Sequence, residues 1–419
     1  MLVRLAIAYA RRRPLSTLLV VLLLALGIGV VTLTLILSRE LSDRMTRDAR
    51  GIDLVVGAKG SPLQLVLCGV YHVDVPPGNI PLAAVAELRA NPMIAQAIPL
   101  ALGDSFRGAW IVGSEPALIE HYGGHLASGA LWKAPMEAVL GSAVAQSSGL
   151  KVGDRFVGSH GLALNGPQHG DHPYLVTGIV GPTGTVLDRM VVTSLDSVWV
   201  IHEDHEADEV ESGAGAPSAG PAPGKDTTGD KAPSEKAPSR EVTLVLVRYR
   251  SPLAAATLPR AINASTQLVA ASPALETARL LTVFGVGTDV LRGFAWLLVA
   301  ASALMLFVAL AQALEERRYD LAILRTLGAT RMHVASVLLL ESLTLTALGA
   351  LLGIGMGHLA AAAIASWLPS AATLAPAASR WLADEWLILA LALGAGILAA
   401  LLPAWRAARL DVAAALADN

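Results

Sequence analysis

Apolar and polar positions along the chain fall into two regimes. Four stretches are almost free of charge, and the long segment between the first and the second alternates short apolar runs with polar turns. Leu15 to Leu37 holds no charged residue and follows Arg11, Arg12 and Arg13, while Gly293 to Leu314 is uncharged between Arg292 and Glu315. A third stretch begins after His333 and runs to about Leu368, broken only by Glu341 and His358. The fourth, Trp386 to Trp405, carries Pro403 close to its end, where a helix tolerates proline best. A bilayer core about 30 Å thick is crossed by about 20 apolar residues of helix, because every backbone polar group must be satisfied within the segment. The pattern predicts transmembrane helices at 15–37, 290–314, 334–368 and 386–405. The third is longer than a bilayer needs at ~1.5 Å per residue, so one of its ends protrudes. The first exceeds the ~7–15 apolar residues of a signal-peptide core and meets no small-x-small cleavage site before Arg39, which predicts an uncleaved anchor.

Orientation follows from lysine and arginine in the short flanks. Arg4, Arg11, Arg12 and Arg13 lie in the flank 1–14. Arg317, Arg318, Arg325 and Arg331 lie in 315–333, and Arg406 and Arg409 in the tail 406–419, whereas the loop 369–385 holds only Arg380. Both termini and 315–333 are therefore expected in the cytoplasm, with 38–289 outside.

Between the first two spans the pattern changes to that of a mixed α/β domain. Strand-like runs stand at Asp53–Val56, Gln64–Val73, Ala109–Val112, Tyr174–Val180, Met190–Thr193 and Val242–Tyr249. Helical patterns interleave them at Pro81–Ala90 and Pro252–Asn263. Strand, helix and strand in that order point to βαβ-type units, with a strand-rich inserted β subdomain at about 105–200. Residues 212–240 have no aliphatic residue larger than alanine, so they bury too little to offset ordering entropy; a disordered loop is expected there. The fold class is a membrane α-helical protein with four transmembrane helices and a large extracytoplasmic α+β domain.

Composition agrees with this layout. Hydrophobic residues make up 54% and charged residues 16%, against ~25% charged in soluble domains. A net charge of −3 without a basic tract outside the membrane flanks leaves no footprint for nucleic acid. The single cysteine, Cys68, lies in an apolar run and reads as a small buried hydrophobe.

The most informative segment is 315–330. Glu315, Glu316, Arg317 and Arg318 are followed by Tyr319, Ile323 and Leu327 at four-residue spacing; Leu324 and Arg325 lie between, Gly328 can end the helix in the left-handed conformation, and Thr330 can cap the next. Such an amphipathic helix suits either a groove on a partner protein or the lipid interface. On the third span, Gly349, Gly353 and Gly357 recur every four residues, a pattern that lets two helices approach closely. Glu341 can pair with Arg331 or Arg325. No Gly-x-x-x-x-Gly-Lys-Ser/Thr phosphate loop occurs, nor a nucleophile elbow or zinc-protease helix, so no enzyme activity is expected of the chain itself.

Glu316-Arg317-Arg318, Ile323 to Ala329, Leu339-Leu340-Glu341-Ser342 and the run Pro403 to Asp411 together resemble the MacB/FtsX superfamily of ABC transporter permeases, which implies a bacterial inner-membrane protein. So do Gly149 to Asp154, Val176 to Val180 and the order of one span, a large domain and three spans. Tyr319-Asp320 departs from the commoner charged residue followed by Glu. The resemblance implies a homodimer, or a heterodimer with a related permease, bound to a separate ATPase subunit that holds ATP and magnesium, so that the permease binds no cofactor itself. It implies that 315–333 is the coupling helix and that ATP-driven closure is transmitted to the external domain. An external adaptor or substrate-binding protein is a further candidate partner. Export or extraction of an external substrate and mechanical control of an external hydrolase stay open. A third alternative, a zinc-responsive transport component, rests on His169, His172, His202 and His205, whose His-x-x-His spacings beside carboxylates suit zinc but equally suit a solvated polar loop.

A cysteine introduced as Thr326→Cys in a Cys68→Ala background tests the topology. It should react with a membrane-impermeant maleimide only after the inner membrane is opened, and labelling of intact spheroplasts would place 315–333 outside.

Overall fold

The computed structural model describes residues 14–161, 172–201, 240–265, 267–367 and 377–409. It divides into two compact units, Met1–Asp43 with Leu281–Asn419, and Arg44–Leu280. Two helices, α1 (Pro14–Asp48) and one beginning at Pro273, each cross the residues at which the units divide. All but Arg240 of the segment expected to be a disordered loop lies outside the described residues.

The unit Arg44–Leu280 is built on a mixed sheet. Strand β1 (Leu54–Ala58) is followed by helix α2 (Pro62–Gly69), the short β2 (Ile80–Pro81), α3 (Leu82–Ala90), the long β3 (Ile94–Phe106), β4 (Ala109–Ser114) and α4 (Ala117–His121). Then come β5 (Leu126–Gly129), β6 (Glu137–Leu140), α5 (Ser142–Ser148), β7 (Arg155–Phe156), β8 (Ser159–His160), β9 (Tyr174–Val180) and β10 (Val191–Ser194). After the undescribed segment, β11 (Glu241–Val242), β12 (Leu244–Tyr249), α6 (Pro252–Ser265) and β13 (Leu268–Ala271) complete it. The strand order is β13-β1-β12-β3-β4-β10-β6-β9-β5, with β7 on β9 and β8 on β3.

β3 joins the two halves of this sheet. Its first residues, from Ile94 to Leu100, pair with β12. Its last, from Ala101 to Phe106, pair with β4, with a register shift between Leu102 and Asp104. The strand-rich stretch expected from about residue 105 is thus continuous with the rest of the sheet through one strand. α3 and α6 cover one face over Leu54, Val56, Val245 and Val247, and α2 approaches the other, where a Cβ on Gly69 would lie 2.7 Å from Leu244. β9 alternates buried and half-buried positions along its whole length, the signature of one face packed on a core.

The run Gln64–Val73, expected as a strand, is mostly helix α2. Apolar runs of this length do not distinguish the two by periodicity. Here the Ser61 hydroxyl accepts the Gln64 N–H at 3.4 Å and Pro62 occupies the first turn, so a capped start decides for helix. Cys68 on α2 is wholly buried, and burial pushes its thiol up to about 12, as befits an inert packing residue.

The other unit contains the remaining helices: α7 (Pro273–Glu316) from Leu281 onward, α8 (Arg318–Thr326), α9 (Arg331–Trp367) and α10 (Ala383–Ala408), together with α1 up to Asp43. α1, α7, α9 and α10 are each long and apolar enough to cross a membrane. α1 extends beyond the predicted span 15–37 because Arg39, Glu40, Leu41, Arg44 and Met45 are good helix formers, and α7 begins at Pro273, well before the predicted span 290–314.

His72, in the α/β unit, has φ 54° and a buried Nδ1 without a hydrogen-bond partner. Burial, aided by the Arg189 charge, pushes its pKa down to about 3, and burial also lowers that of His121. The unfolded chain takes up a proton near pH ~6.5 that the folded His72 refuses. Its contribution to stability is therefore present above that pH and lost as pH falls toward 3. The melting temperature of the full-length protein in detergent should drop between pH 7.5 and 5, by less in His72→Asn; a melting temperature unchanged across that interval would contradict the assignment.

Candidate functional site

The candidate site is the connection from α7 through α8 to α9. The segment 315–333 is not one helix. Glu315 and Glu316 close α7, Arg317 leaves the helical range at φ −101° and ψ 6°, and α8 starts at Arg318. The end of α8 is a Schellman turn. Gly328, at φ 99°, donates its N–H to Arg325 O at 3.1 Å, and Ala329 donates to Leu324 O at 3.0 Å. A side chain at that φ would be strained, which explains the glycine. The Thr330 hydroxyl then caps α9 by accepting the His333 N–H at 3.3 Å.

Which side of α8 is covered is decided by the helices around it. Leu321 and Ala322 are the buried residues, and Leu321 packs with Leu314, Val334 and Leu338, with Leu324 half-buried at the edge of that cluster. Tyr319, Ile323 and Leu327 form the outward face, and Leu327 is 79% exposed. α8 therefore presents an aromatic and two aliphatics away from the bundle while a narrower pair anchors it.

A buried ion pair fixes the hinge residue. Arg317 Nη1 donates to Glu341 Oε2 at 3.0 Å, with both side chains largely enclosed. Glu341 was expected to meet Arg331 or Arg325. Arg331 lies ten residues away on the same helix, about 15 Å along its axis, out of side-chain reach; Arg317, at the turn packed beside α9, is the partner. Glu315 makes a separate, exposed pair with Arg318 at 3.1 Å.

The three glycines of α9 all lie against α1. A Cβ on Gly349 would be 2.8 Å from the Leu24 side chain, one on Gly353 2.7 Å from the Ala25 carbonyl oxygen, and one on Gly357 2.7 Å from Thr32 Cβ. Gly355, between them, faces open space. The glycine stripe thus serves packing within one chain. Ser342 adds a hydrogen bond from α9 to α10, donating to Gly396 O at 2.6 Å.

The pairing of His358 with Glu385 was not legible in the sequence. His358 Nδ1 lies 2.8 Å from Ala378 O, and Nε2 lies 2.9 Å from Oε1 of the fully buried Glu385. A carbonyl only accepts, so Nδ1 is the donor of that bond. Arg39 pairs with Asp384 beside it. The partners are 27 residues apart, and only helix packing brings them together.

Of the histidines considered for zinc, His169, His202 and His205 lie outside the described residues, and His172 lies two residues before the start of β9. Among the described residues, no three His, Cys, Asp or Glu side chains gather as metal ligands.

Comparison with known proteins follows the same division of the chain. Residues 17–265 match the model of the MacB-like periplasmic core domain, and residues 292–412 that of the FtsX-like permease C-terminal region. The chain belongs to the MacB/FtsX-like permease family. Permeases of this family are membrane components of ABC transporters with an extracytoplasmic domain, and in general they work with ABC ATPase partners. No curated protein matches the chain. Among solved structures, the periplasmic region of MacB from Actinobacillus actinomycetemcomitans is 12% identical with a TM-score of 0.32, covering 56% of this chain and 97% of that one. The extracellular domain of the noncanonic ABC-type transporter YknZ from Gram-positive bacteria is 10% identical with a TM-score of 0.29, covering 53% of this chain and 98% of that one.

In this permease the α1–α9 contact sets a paired test. Gly353→Ala pushes a methyl group into backbone and should cost about 1–3 kcal/mol through overpacking, read as a lower melting temperature in detergent. Gly355→Ala should leave that temperature unchanged or raise it. Equal effects of the two would show that the close approach does not exist.

Proposed function

We propose that this permease couples ATP hydrolysis by a separate ATPase subunit to movement of its extracytoplasmic domain, for export or extraction of a substrate. The observation that carries the reading is α8. It is anchored by Leu321, Ala322 and the Arg317–Glu341 pair at its entry, yet turns Tyr319, Ile323 and Leu327 outward. A short helix rigidly held at its base, with an exposed apolar face, fits the groove of a partner and can pass force to the helices at both of its ends. α7 and α9 flank it directly, and α7 runs unbroken from Pro273. We place α8 and the termini in the cytoplasm on the strength of the arginine-rich flanks. A second copy of the permease would complete the assembly, and the size of the Arg44–Leu280 unit favours export over simple activation of a hydrolase.

The test uses the full-length permease co-expressed with its ATPase. Ile323→Asp and Leu327→Asp place a charge at the exposed face without touching the core, so the permease should melt as the wild type does. Each should lose co-purified ATPase and lower permease-dependent ATP hydrolysis by about tenfold or more, the weight of an interface anchor. Wild-type retention of the ATPase by both variants would remove α8 as the docking element.

A further inference from the structure

α7 and α10 leave between them a cleft of about 210 Å³, smaller than the ~300–1,000 Å³ that holds a drug-sized ligand. Phe307, Leu402 and Pro403 contribute its apolar lining, and Gln312, Glu315 and Arg406 its polar one. Its depth is set by the sequence. Glu315 is the first charged residue after the uncharged run Gly293 to Leu314, and Arg406 the first after the uncharged run Trp386 to Trp405. Both runs therefore end at this cleft, which puts it where hydrocarbon gives way to headgroups. Leu304 and Leu398, deeper on the same two helices, are exposed, as lipid-facing residues should be.

We propose that this cleft binds a zwitterionic phospholipid of the phosphatidylethanolamine type. The charges on its rim match that headgroup. The Arg406 guanidinium offers a fork of donors to the phosphate, and the Glu315 carboxylate accepts from the ammonium. Arg318 engages one Glu315 oxygen, Oε2, and a carboxylate has acceptor capacity beyond one partner. Gln312 supplies an amide for the glycerol or phosphate oxygens, and the apolar lining receives the start of an acyl chain. A phosphatidylglycerol headgroup would use Arg406 but leave Glu315 facing a neutral or anionic group, and a phosphatidylcholine headgroup gives the carboxylate no N–H donor. The assignment is independent of α8 docking, because it concerns the α7–α10 surface and not the face of Tyr319, Ile323 and Leu327.

The full-length permease, delipidated in detergent, is titrated with dioleoyl phosphatidylethanolamine, phosphatidylglycerol or phosphatidylcholine, and bound lipid is counted by native mass spectrometry. Phosphatidylethanolamine should be retained most strongly. Arg406→Ala should weaken it and phosphatidylglycerol alike by about fivefold, the weight of one basic residue at a phosphate-bearing surface. Glu315→Gln should weaken phosphatidylethanolamine alone, and Phe307→Trp, which fills the cleft without changing charge, should weaken all three. Equal retention of the three lipids, a preference for phosphatidylglycerol, or retention unaffected by Arg406→Ala and Phe307→Trp would overturn the proposal. In cells, a photo-crosslinking residue at Gln312 should capture phospholipid; capture of the ATPase instead would make the cleft a protein socket and also overturn it.

Discussion

Helices in lipid gain little from burying apolar surface against one another, because hydrocarbon solvates leucine as well as another helix does. What holds them is close packing and the few polar contacts that lipid cannot replace. In this permease the decisive contact is the approach of α9 to α1 along Gly349, Gly353 and Gly357, where the absence of three side chains brings the α9 backbone against the side chain of Leu24 and the carbonyl oxygens of Ala25 and Gly29. The face of α1 that receives it, Leu24, Ala25, Ile28 and Thr32, is buried throughout. α1 also meets α7, at Gly27 opposite Ala295 and Val299. The other spans are thereby ordered around the first of the four described spans.

Polar contacts then fix the ends of α9. Arg317–Glu341 ties it to the turn between α7 and α8, and His358–Glu385 ties it to the start of α10. Each places polar groups where water is scarce, and each is tolerable because its partner is within hydrogen-bond distance. Such pairs specify register: a helix that slid by one turn would strand both carboxylates. The α8 connection inherits this precision, since its entry is pinned by Arg317 and its exit by the Schellman turn and the Thr330 cap. A segment of nine residues is too short to hold a helix by itself in water; the bundle holds it.

The four spans, the α/β character of 38–289 and the family resemblance were legible because each rests on information local to the chain. Uncharged runs, alternation in β9, and the glycine after Leu327 need only neighbours in sequence. The segment Gln64–Val73 was misread as a strand because a short apolar run carries no period that separates the two states, and a cap at Ser61 settled it. The grouping of Tyr319, Ile323 and Leu327 on one side of α8 was legible from spacing, and their exposure was not. Spacing shows which residues share a side of a helix, and only the surrounding helices determine which side is covered.

The sequence by itself determined which segments leave water for lipid, where helices stop, and which residues are small enough to allow close approach, because these follow from solvation and from the backbone freedom of single residues. Tertiary structure alone decided that the glycine stripe meets α1 of the same chain, that Glu341 finds Arg317 and not Arg331, that His358 finds Glu385, and that Tyr319, Ile323 and Leu327 face outward. Those are pairings between residues far apart in the chain, and their energies depend on burial and distance, which no local pattern records.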